Sequence, residues 1–455
     1  MNIAIAILAA GRGERMKSSL PKVLHPLAGQ PMVSYVVATA LKLNTTKVVL
    51  VVGHGEEEVR KAVGDQVIYA EQREPLGTGH ALLQTRSLLE GKAPTILVLY
   101  GDTPLITTAT IERLVLHHEK ANTAVTMLSF CPEDPTGYGR VLRDADGQVR
   151  GLIEDAFAKG EERNIREVNS GLFCFRDDWL WTHLEQIQRN EKGEYYLTDL
   201  VGMALEEGEG VEALSISNPA EAMGVNNLVQ LAQAETIMRH RINERWMLAG
   251  VTIVDPASTY IEAPVELGRD TVIYPNTFLQ GRTVVGQDCT IGPNAILRHA
   301  RVGDGCRIVA SVVEEATVED GSDVGPFSHL RPGGHLGPRV HVGNFVEIKK
   351  SYLDTGTKVG HFSYVGDATI GRDVNIGAGT VTCNYDGQAK HQTIIEDGVF
   401  IGSDTMLVAP VRVGAGAKIG AGSVVTRDIP PHSVAYGVPA RVKKTQGEDE
   451  TPSGK

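Results

Sequence analysis

The apolar positions of this chain follow two rhythms, and the change falls near residue 250. Before it, short unbroken apolar runs end in Gly or Asp: "IAIAIL" from Ile3, "KVVLVVG" from Lys47 and "TILVLYGD" from Thr95. Runs of that length without alternation predict strands of a parallel sheet buried on both faces. Helical patterns lie between them, at Pro31 to Leu43 and His80 to Leu89. Such alternation predicts an α/β, Rossmann-like doubly wound domain over residues 1–228. Ligands of these sheets lie at the carboxyl ends of the strands. The stretch that follows lacks Pro and Gly, spaces Leu228, Leu231, Ile237, Met238, Ile242 and Trp246 helically, and stops at Gly250. It predicts one long linking helix, residues 229–249.

After Gly250 an aliphatic residue, usually followed by Gly, recurs every six positions. Examples are "IGPNAI" at Ile291, "VGDGCR" at Val302, "VGNFVE" at Val342, "IGAGTV" at Ile376 and "IGAGSV" at Ile419. A hexapeptide period sustained this long predicts a parallel β-helix over residues 250–442. The aliphatics point inward and the small residues allow tight corners. One stretch breaks the period, "TCNYDGQAKHQTII" from Thr382 to Ile395. Solenoids expel such insertions as loops, often on a binding face. The polar tail 443–455, "KKTQGEDETPSGK", predicts disorder.

Composition narrows the classes. A length of 455 residues suits two or three domains. The net charge of −12 argues against a general nucleic-acid binder. Five cysteines without CxxC spacing read as free thiols of a reducing cytoplasm. The start of the chain lacks the basic region of a signal peptide. No window holds the roughly 18 apolar residues of a membrane span.

The densest candidate chemistry follows the first strand, in "LAAGRGERMKSSLPKVL", Leu8 to Leu24. Glycines and cations crowded after a strand suit a phosphate cradle. It is not a G-x-x-x-x-G-K-[ST] loop. It half-fits G-x-G-x-x-G, with Gly11 and Gly13 in place but Met16 at the third glycine position. Taken alone, its cations read equally as solvated surface charges.

Further motifs resolve the ambiguity. "EQREPLGTGHAL", "YGDTPL", "DPTGYGRV", "EVNSG" and "GVNN", with the first loop, resemble sugar-nucleotide pyrophosphorylases. "HVGNFVEIKKS", "GHFSYVGDATIG" and "GAGTVTCNYDG" resemble a hexapeptide acetyltransferase acting on a sugar phosphate. Fused in this order they resemble the bifunctional N-acetylglucosamine-1-phosphate uridylyltransferase/glucosamine-1-phosphate acetyltransferases, over about residues 3–440. The resemblance implies a left-handed β-helix, a homotrimer, Mg²⁺, acetyl-CoA and UTP as co-substrates, and UDP-N-acetylglucosamine for cell-wall precursors. Its small-molecule partners are sugar phosphates and a nucleotide.

The first reaction site needs little covalent chemistry. A phosphate monoester with a second pKa of about 6 is already an ionised nucleophile at neutral pH. Positioning, charge neutralisation and a metal then suffice. Arg15 and Lys22 supply charge, and Asp102 offers Mg²⁺ the hard oxygen it prefers. The resemblance implies Asn226 as the second ligand, with Asn227 the alternative. It places Leu8, Ala9, Ala10 and Gly11 along the nucleotide and Gln72, Gly77 and Thr78 at the uracil. Tyr100, Gly101, Gly139, Glu154 and Asn169 join the same substrate site. Outside the motifs, Glu154 would read as a solvated charge and Tyr100 as a core aromatic.

The second reaction has an amine nucleophile. An α-amino-like group of pKa about 7.7–8.0 is mostly protonated at neutral pH, so a base helps. An imidazole suits the task, and His361 stands in "VGHFSYVGD". A lone histidine would read as structural; its motif reads as catalytic. Arg331 and Lys349 fall on neighbouring turns, spaced to clamp a sugar phosphate. The resemblance adds Tyr364, Asn375, Asn384 and Tyr385 for the substrate, and Ala378, Ser403 and Ala421 for acetyl-CoA. Where some relatives carry an Arg before a Val-Pro pair, this chain has "YGVPARVKK". Arg441, Lys443 or Lys444 would then meet the CoA phosphates. Two other readings compete: a monofunctional glucose-1-phosphate nucleotidyltransferase with a structural β-helix, and a non-catalytic regulatory subunit.

Overall fold

The structure, a computed structural model, describes residues 2–445. The chain divides into two compact units, the first ending at Met238 and the second beginning at Arg239.

In the first unit the strand Ile3–Leu8 lies between Thr45–Val52 and Thr95–Tyr100, parallel to both, and Ile68–Glu71 extends the sheet beyond Thr45–Val52. Ile3, Ile5 and Ile7 enter one hydrophobic core while Ala4, Ala6 and Leu8 enter the other. That double burial is why the run is apolar without alternation. The sheet is not wholly parallel, however. Val168–Arg176 runs antiparallel to both Thr95–Tyr100 and Val125–Phe130, between which it lies. Its segment Leu172–Phe175 is fully buried like its neighbours, and burial alone carries no direction. The helix expected over His80 to Leu89 is two pieces, Thr78–Leu83 and Arg86–Leu89. Between them the Thr85 hydroxyl donates to Leu82 O at 2.7 Å. Such local side-chain bonding competes with helix continuation.

The long helix runs Leu228–Leu248, and the boundary between the units falls within it. Its first part belongs to the α/β unit, where Glu235 accepts from Ala28 N at 2.7 Å. Its second part belongs to the next unit. There buried Asn243 donates to Pro256 O and Thr259 O at 3.0 and 3.1 Å, and the Arg239 guanidinium stands 4.5 Å over the Tyr260 ring.

The second unit is a left-handed parallel β-helix of three sheets, with 12, 10 and 9 strands among the described residues. Its register stacks the aliphatic positions: Val324, Val342, Val359, Ile376, Ile401 and Ile419 pair in order down the first face, all buried. The glycine after the aliphatic turns the chain at Gly292 and Gly325, where φ is 91° and 104°, but elsewhere it can serve another purpose. A Cβ on Gly343 would stand 1.9 Å from Gly360 O, and one on Gly377 2.5 Å from Ser403 N. Coil-to-coil approach excludes a side chain there. Many corners are instead turned by non-glycine residues at positive φ, among them Asn294, Phe345, Phe362, Asp373 and Asp404. The insertion is expelled as expected: Val381–Cys383 and Thr393–Ile395 keep their register while the residues between them loop out. The last strand, Ala440–Thr445, pairs antiparallel with Ser433–Gly437. Lys443 to Thr445 are therefore ordered, against the expectation for the tail. The rest of that tail, 446–455, lies outside the described residues.

Candidate functional site

The α/β unit encloses a cavity of about 600 Å³ at the carboxyl end of its first strand. Leu8, Ala9, Ala10, Gly11, Arg15, Lys22, Gln72, Gly77, Thr78, Tyr100, Asp102 and Asn226, all expected from sequence, line it. Local backbone explains how they meet. Gly13 is left-handed (φ 69°), and a Cβ there would lie 2.5 Å from Lys22 Cβ. The Pro21 ring packs over Gly55, where a Cβ would meet its Cγ at 2.2 Å. These two glycines let the Pro21–Lys22 segment press against the loop.

Lys22 Nζ donates to Asp102 Oδ2 and, at 2.6 Å, to Asn226 Oδ1. Arg15 Nη2 reaches the same Asn226 oxygen at 2.8 Å. Backbone pairing of Val225 N with Asp102 O at 2.9 Å holds the two oxygen donors side by side. The Asn226/Asn227 ambiguity is now separable. Asn227 Oδ1 accepts from Gln230 N at 2.9 Å, capping the long helix, while Asn226 faces the cavity. A carboxylate and a carboxamide oxygen thus converge on one cation, here an ammonium. That donor set suits Mg²⁺, which takes one or two protein oxygens and leaves the remainder to water and phosphate. No group of three or more His, Cys, Asp or Glu is arranged for a metal among the described residues.

The other expected residues stand beside the cavity rather than in its wall. Gly101 N donates to Leu8 O at 2.9 Å, and a Cβ there would press on Ala9 at 3.1 Å. Asn169 N donates to Gly139 O at 2.8 Å, and Gly139 lies next to the Glu154 carboxylate. Glu154 lines a second cavity of about 550 Å³ that shares Tyr196 with the first. Burial pushes the Tyr100 hydroxyl well above its ordinary range, against a hydrogen bond with Thr78. Burial and the charge of Glu154 push Asp199 upward. Sequence reasoning missed Arg12, Glu194 and Tyr196 in the wall of the first cavity. Glu194 and Tyr196 sit in "NEKGEYYLTD", which carries no periodic or loop signature.

In the β-helix, Asn344 pairs with His361, and the register carries His361, Ala378, Ser403 and Ala421 into one column along a corner. Asp404 N to Ala378 O (2.6 Å) and Gly422 N to Ser403 O (2.8 Å) tie successive coils of that column. His361 is exposed, and its imidazole has no hydrogen-bond partner among the described residues. The base expected from sequence and the acetyl-CoA positions therefore share an edge. At the foot of the column Arg441 pairs with Tyr436. Tyr436 packs against Gly420, where a Cβ would lie 2.7 Å from its own. Lys443 Nζ lies 5.5 Å from the Tyr436 ring centre.

The next face carries the cations. Arg331 N donates to Ile348 O at 2.8 Å, so Arg331 and Lys349 stack on successive coils. The Arg331 guanidinium donates to Glu347 at 2.6 Å. Lys390, from the expelled loop, lies beside Lys349. Its ammonium, with Arg331 adding, holds the Lys349 pKa below the ordinary lysine value. Asn384 Nδ2 reaches the Tyr364 hydroxyl at 3.4 Å and also donates to Asp367. Tyr385 is 60% exposed and bridges across the loop to Lys390. Asn375 does not join them: it lies on the first face, paired with Lys358 and Phe400. An exposed ladder of Phe327, Phe345 and Phe362, with ring centres 5.5 and 5.2 Å apart, runs along the corner between the two faces.

A loop-lined nucleotide-sized cavity in a Rossmann-like sheet, fused to a hexapeptide solenoid, defines a two-domain transferase. Comparisons agree with that class. Residues 5–167 match the MobA-like NTP transferase domain. Residues 282–313 match the hexapeptide repeat of succinyl-transferase, and residues 392–427 the bacterial transferase hexapeptide. The bifunctional protein GlmU of Shouchella clausii is 48% identical over 439 residues, covering 96% of this chain and 97% of its own. That of Trichlorobacter lovleyi is 48% identical, covering 97% of each chain. That of Exiguobacterium sibiricum is 47% identical, covering 99% of this chain and 100% of its own. The chain belongs to the bifunctional GlmU family, and it is an enzyme with a nucleotidyltransferase and an acyltransferase domain.

Proposed function

We propose that the β-helix acetylates glucosamine-1-phosphate and the α/β unit then joins the product to UMP, giving UDP-N-acetylglucosamine for cell-wall precursors. The observation that carries the nucleotide half is the convergence of Asp102 and Asn226 oxygens on one cation inside the loop-lined cavity. The bifunctional relatives favour this reading over a single activity with a structural solenoid, or over a regulatory subunit.

In uridylyl transfer an oxygen of the sugar-1-phosphate attacks the α-phosphorus of UTP, and pyrophosphate leaves. Backbone N–H groups of the Ala10–Gly13 loop and the cations of Arg15 and Lys22 hold the triphosphate. Gln72, Gly77 and Thr78 orient the uracil; Tyr100, Gly139, Glu154 and Asn169 hold the sugar. Asp102 and Asn226 would hold Mg²⁺, which neutralises and orients the phosphates when bound. Lys22 then exchanges those two oxygens for phosphate.

In acetyl transfer the His361 imidazole takes a proton from the sugar amine as its nitrogen bonds to the thioester carbonyl carbon. The carbon–sulfur bond then breaks, the imidazolium returns its proton to the sulfur, and CoA leaves as the thiol. Arg331, Lys349 and Lys390 bind the phosphate; Ala378, Ser403, Ala421 and Arg441 follow the CoA. Asn375 and Lys349 lie on different faces of one chain, which favours a site completed by another copy, in a homotrimer. The cytoplasm suits the free thiols and these substrates. Incubation with glucosamine-1-phosphate, acetyl-CoA, UTP and Mg²⁺, with products identified by mass, tests the proposal. Formation of UDP-glucosamine in place of UDP-N-acetylglucosamine would overturn the order of steps, and absence of any UDP-sugar the whole reading.

A further inference from the structure

The segment Glu194 to Thr198 is bonded on one side to the uracil loop and on the other to the sugar carboxylate. Tyr195 N donates to Leu76 O at 2.8 Å, and Gly79 N donates to Tyr195 O at 2.9 Å. Leu197 N donates to the Thr78 hydroxyl oxygen at 3.0 Å. The fit leaves no room for side chains in the loop: a Cβ on Gly77 would stand 2.6 Å from Tyr195 O, and one on Gly79 3.2 Å. One residue further on, the Thr198 hydroxyl donates to Glu154 Oε1 at 2.9 Å.

Thr198 stands at the N-cap of the helix Asp199–Glu206, where a threonine ordinarily accepts a bond from a helix N–H. It makes no such bond. Its hydroxyl is committed to Glu154, so helix capping does not account for the side chain.

We infer that Thr198 is a positioning residue for the sugar half of uridylyl transfer, fixing the Glu154 carboxylate at a set distance from the uracil loop. This rests on the proposed uridylyl-transfer reading. A carboxylate held by a donor and by a strut of fixed length presents its second oxygen to sugar hydroxyls in one orientation. Without that donor the carboxylate turns freely and must be ordered by the substrate itself. The cost then falls on sugar affinity and spares the nucleotide, whose loop keeps its three hydrogen bonds to the segment.

The test uses the full chain with Thr198→Val and Thr198→Ser. KM for N-acetylglucosamine-1-phosphate and KM for UTP are measured separately. Thr198→Val is expected to raise the sugar KM about 10-fold, as for a lost hydrogen bond to a charged group. The UTP KM should stay at the wild-type value, and Thr198→Ser should restore sugar binding. In a Glu154→Gln background, Thr198→Val should add far less than it does alone, because the two residues act as one unit. An unmoved sugar KM in Thr198→Val overturns the inference. So does an equal rise in both KM values, which would mark a merely structural role, or full additivity with Glu154→Gln. Wild-type protein that forms no UDP-sugar sinks the proposed function and this inference with it; an active wild type with an unmoved sugar KM in Thr198→Val sinks only the inference.

Discussion

Lys22 and Asp102 keep only 13% and 18% of their side-chain surface, although 80 residues of chain separate them. Asn226 comes from 204 residues beyond Lys22 to meet them. His361 and Tyr385, by contrast, stand exposed on a solenoid whose neighbouring coils are close in sequence. A fold with many long-range contacts can wall a site in from all sides. A prism of stacked coils offers one corner and no opposite wall. The first cavity is therefore lined within one folded unit, while on the proposed reading the second site is completed by another copy. Stacked repeats also depend on their neighbours for stability, whereas the α/β unit has two cores of its own.

The sharpest way to break this contrast is to disable one site and assay both. Asp102→Ala should abolish uridylyl transfer and leave acetyl transfer near wild type. Equal loss of the two half-reactions, measured separately, would show that the units do not work independently. His361→Ala should lower acetyl transfer by about 10²–10⁴-fold, the usual contribution of a general base. Transfer from preformed N-acetylglucosamine-1-phosphate should persist. A mutant that acetylates at the wild-type rate would remove His361 from the mechanism.

Shortening the chain asks whether the enclosed site is self-sufficient. Residues 1–240 keep the α/β unit with Asn226 and the first part of the helix. Light scattering should find this piece monomeric, with uridylyl transfer retained, and the full chain trimeric. A monomeric full chain with normal acetyl transfer would mean that the open corner needs no second wall.

A smaller effect concerns the exposed cations. Lys390 favours the neutral form of Lys349 and so lowers its pKa. Phosphate affinity should therefore weaken, as pH rises, earlier than for an ordinary lysine. Lys390→Met removes the repulsion, so the pKa of Lys349 rises and the alkaline limb of the KM profile for glucosamine-1-phosphate moves to higher pH. The same variant loses one cation and binds somewhat more weakly at neutral pH. An alkaline limb that stays in place would separate the two lysines.

Much of this was legible in the chain itself, for physical reasons. Unbroken apolar runs such as Ile3–Leu8 report burial on two faces, and the sixfold period reports a repeating coil. Direction is another matter: Leu172–Phe175 is as buried as the parallel strands, yet the strand it belongs to runs the other way. The first loop drew notice because glycines and cations crowd together directly after a strand, and the structure places it in the wall of a cavity. Asn226 and Asn227 carry the same side chain, and they are told apart by the folded surroundings: Asn227 caps the helix at Gln230 N while Asn226 meets Lys22 and Arg15. Glu194 and Tyr196 reach the first cavity through tertiary folding of a segment with no period. The small residue after the aliphatic was read as a corner device; at Gly343 and Gly377 it gives clearance between coils instead.

The expelled loop has a consequence for how such an enzyme changes over time. Thr369 still pairs with Ile394, and Thr382 with Leu407, as though nothing had been inserted between the flanking strands. The loop brings Asn384, Tyr385 and Lys390 to the cation face without disturbing the coils that carry it. It is thus a cassette: its length and polar residues can be exchanged while the scaffold's pitch stays constant. On the proposed reading, rewriting that one short stretch would change the sugar side of the site and leave the His361 corner intact.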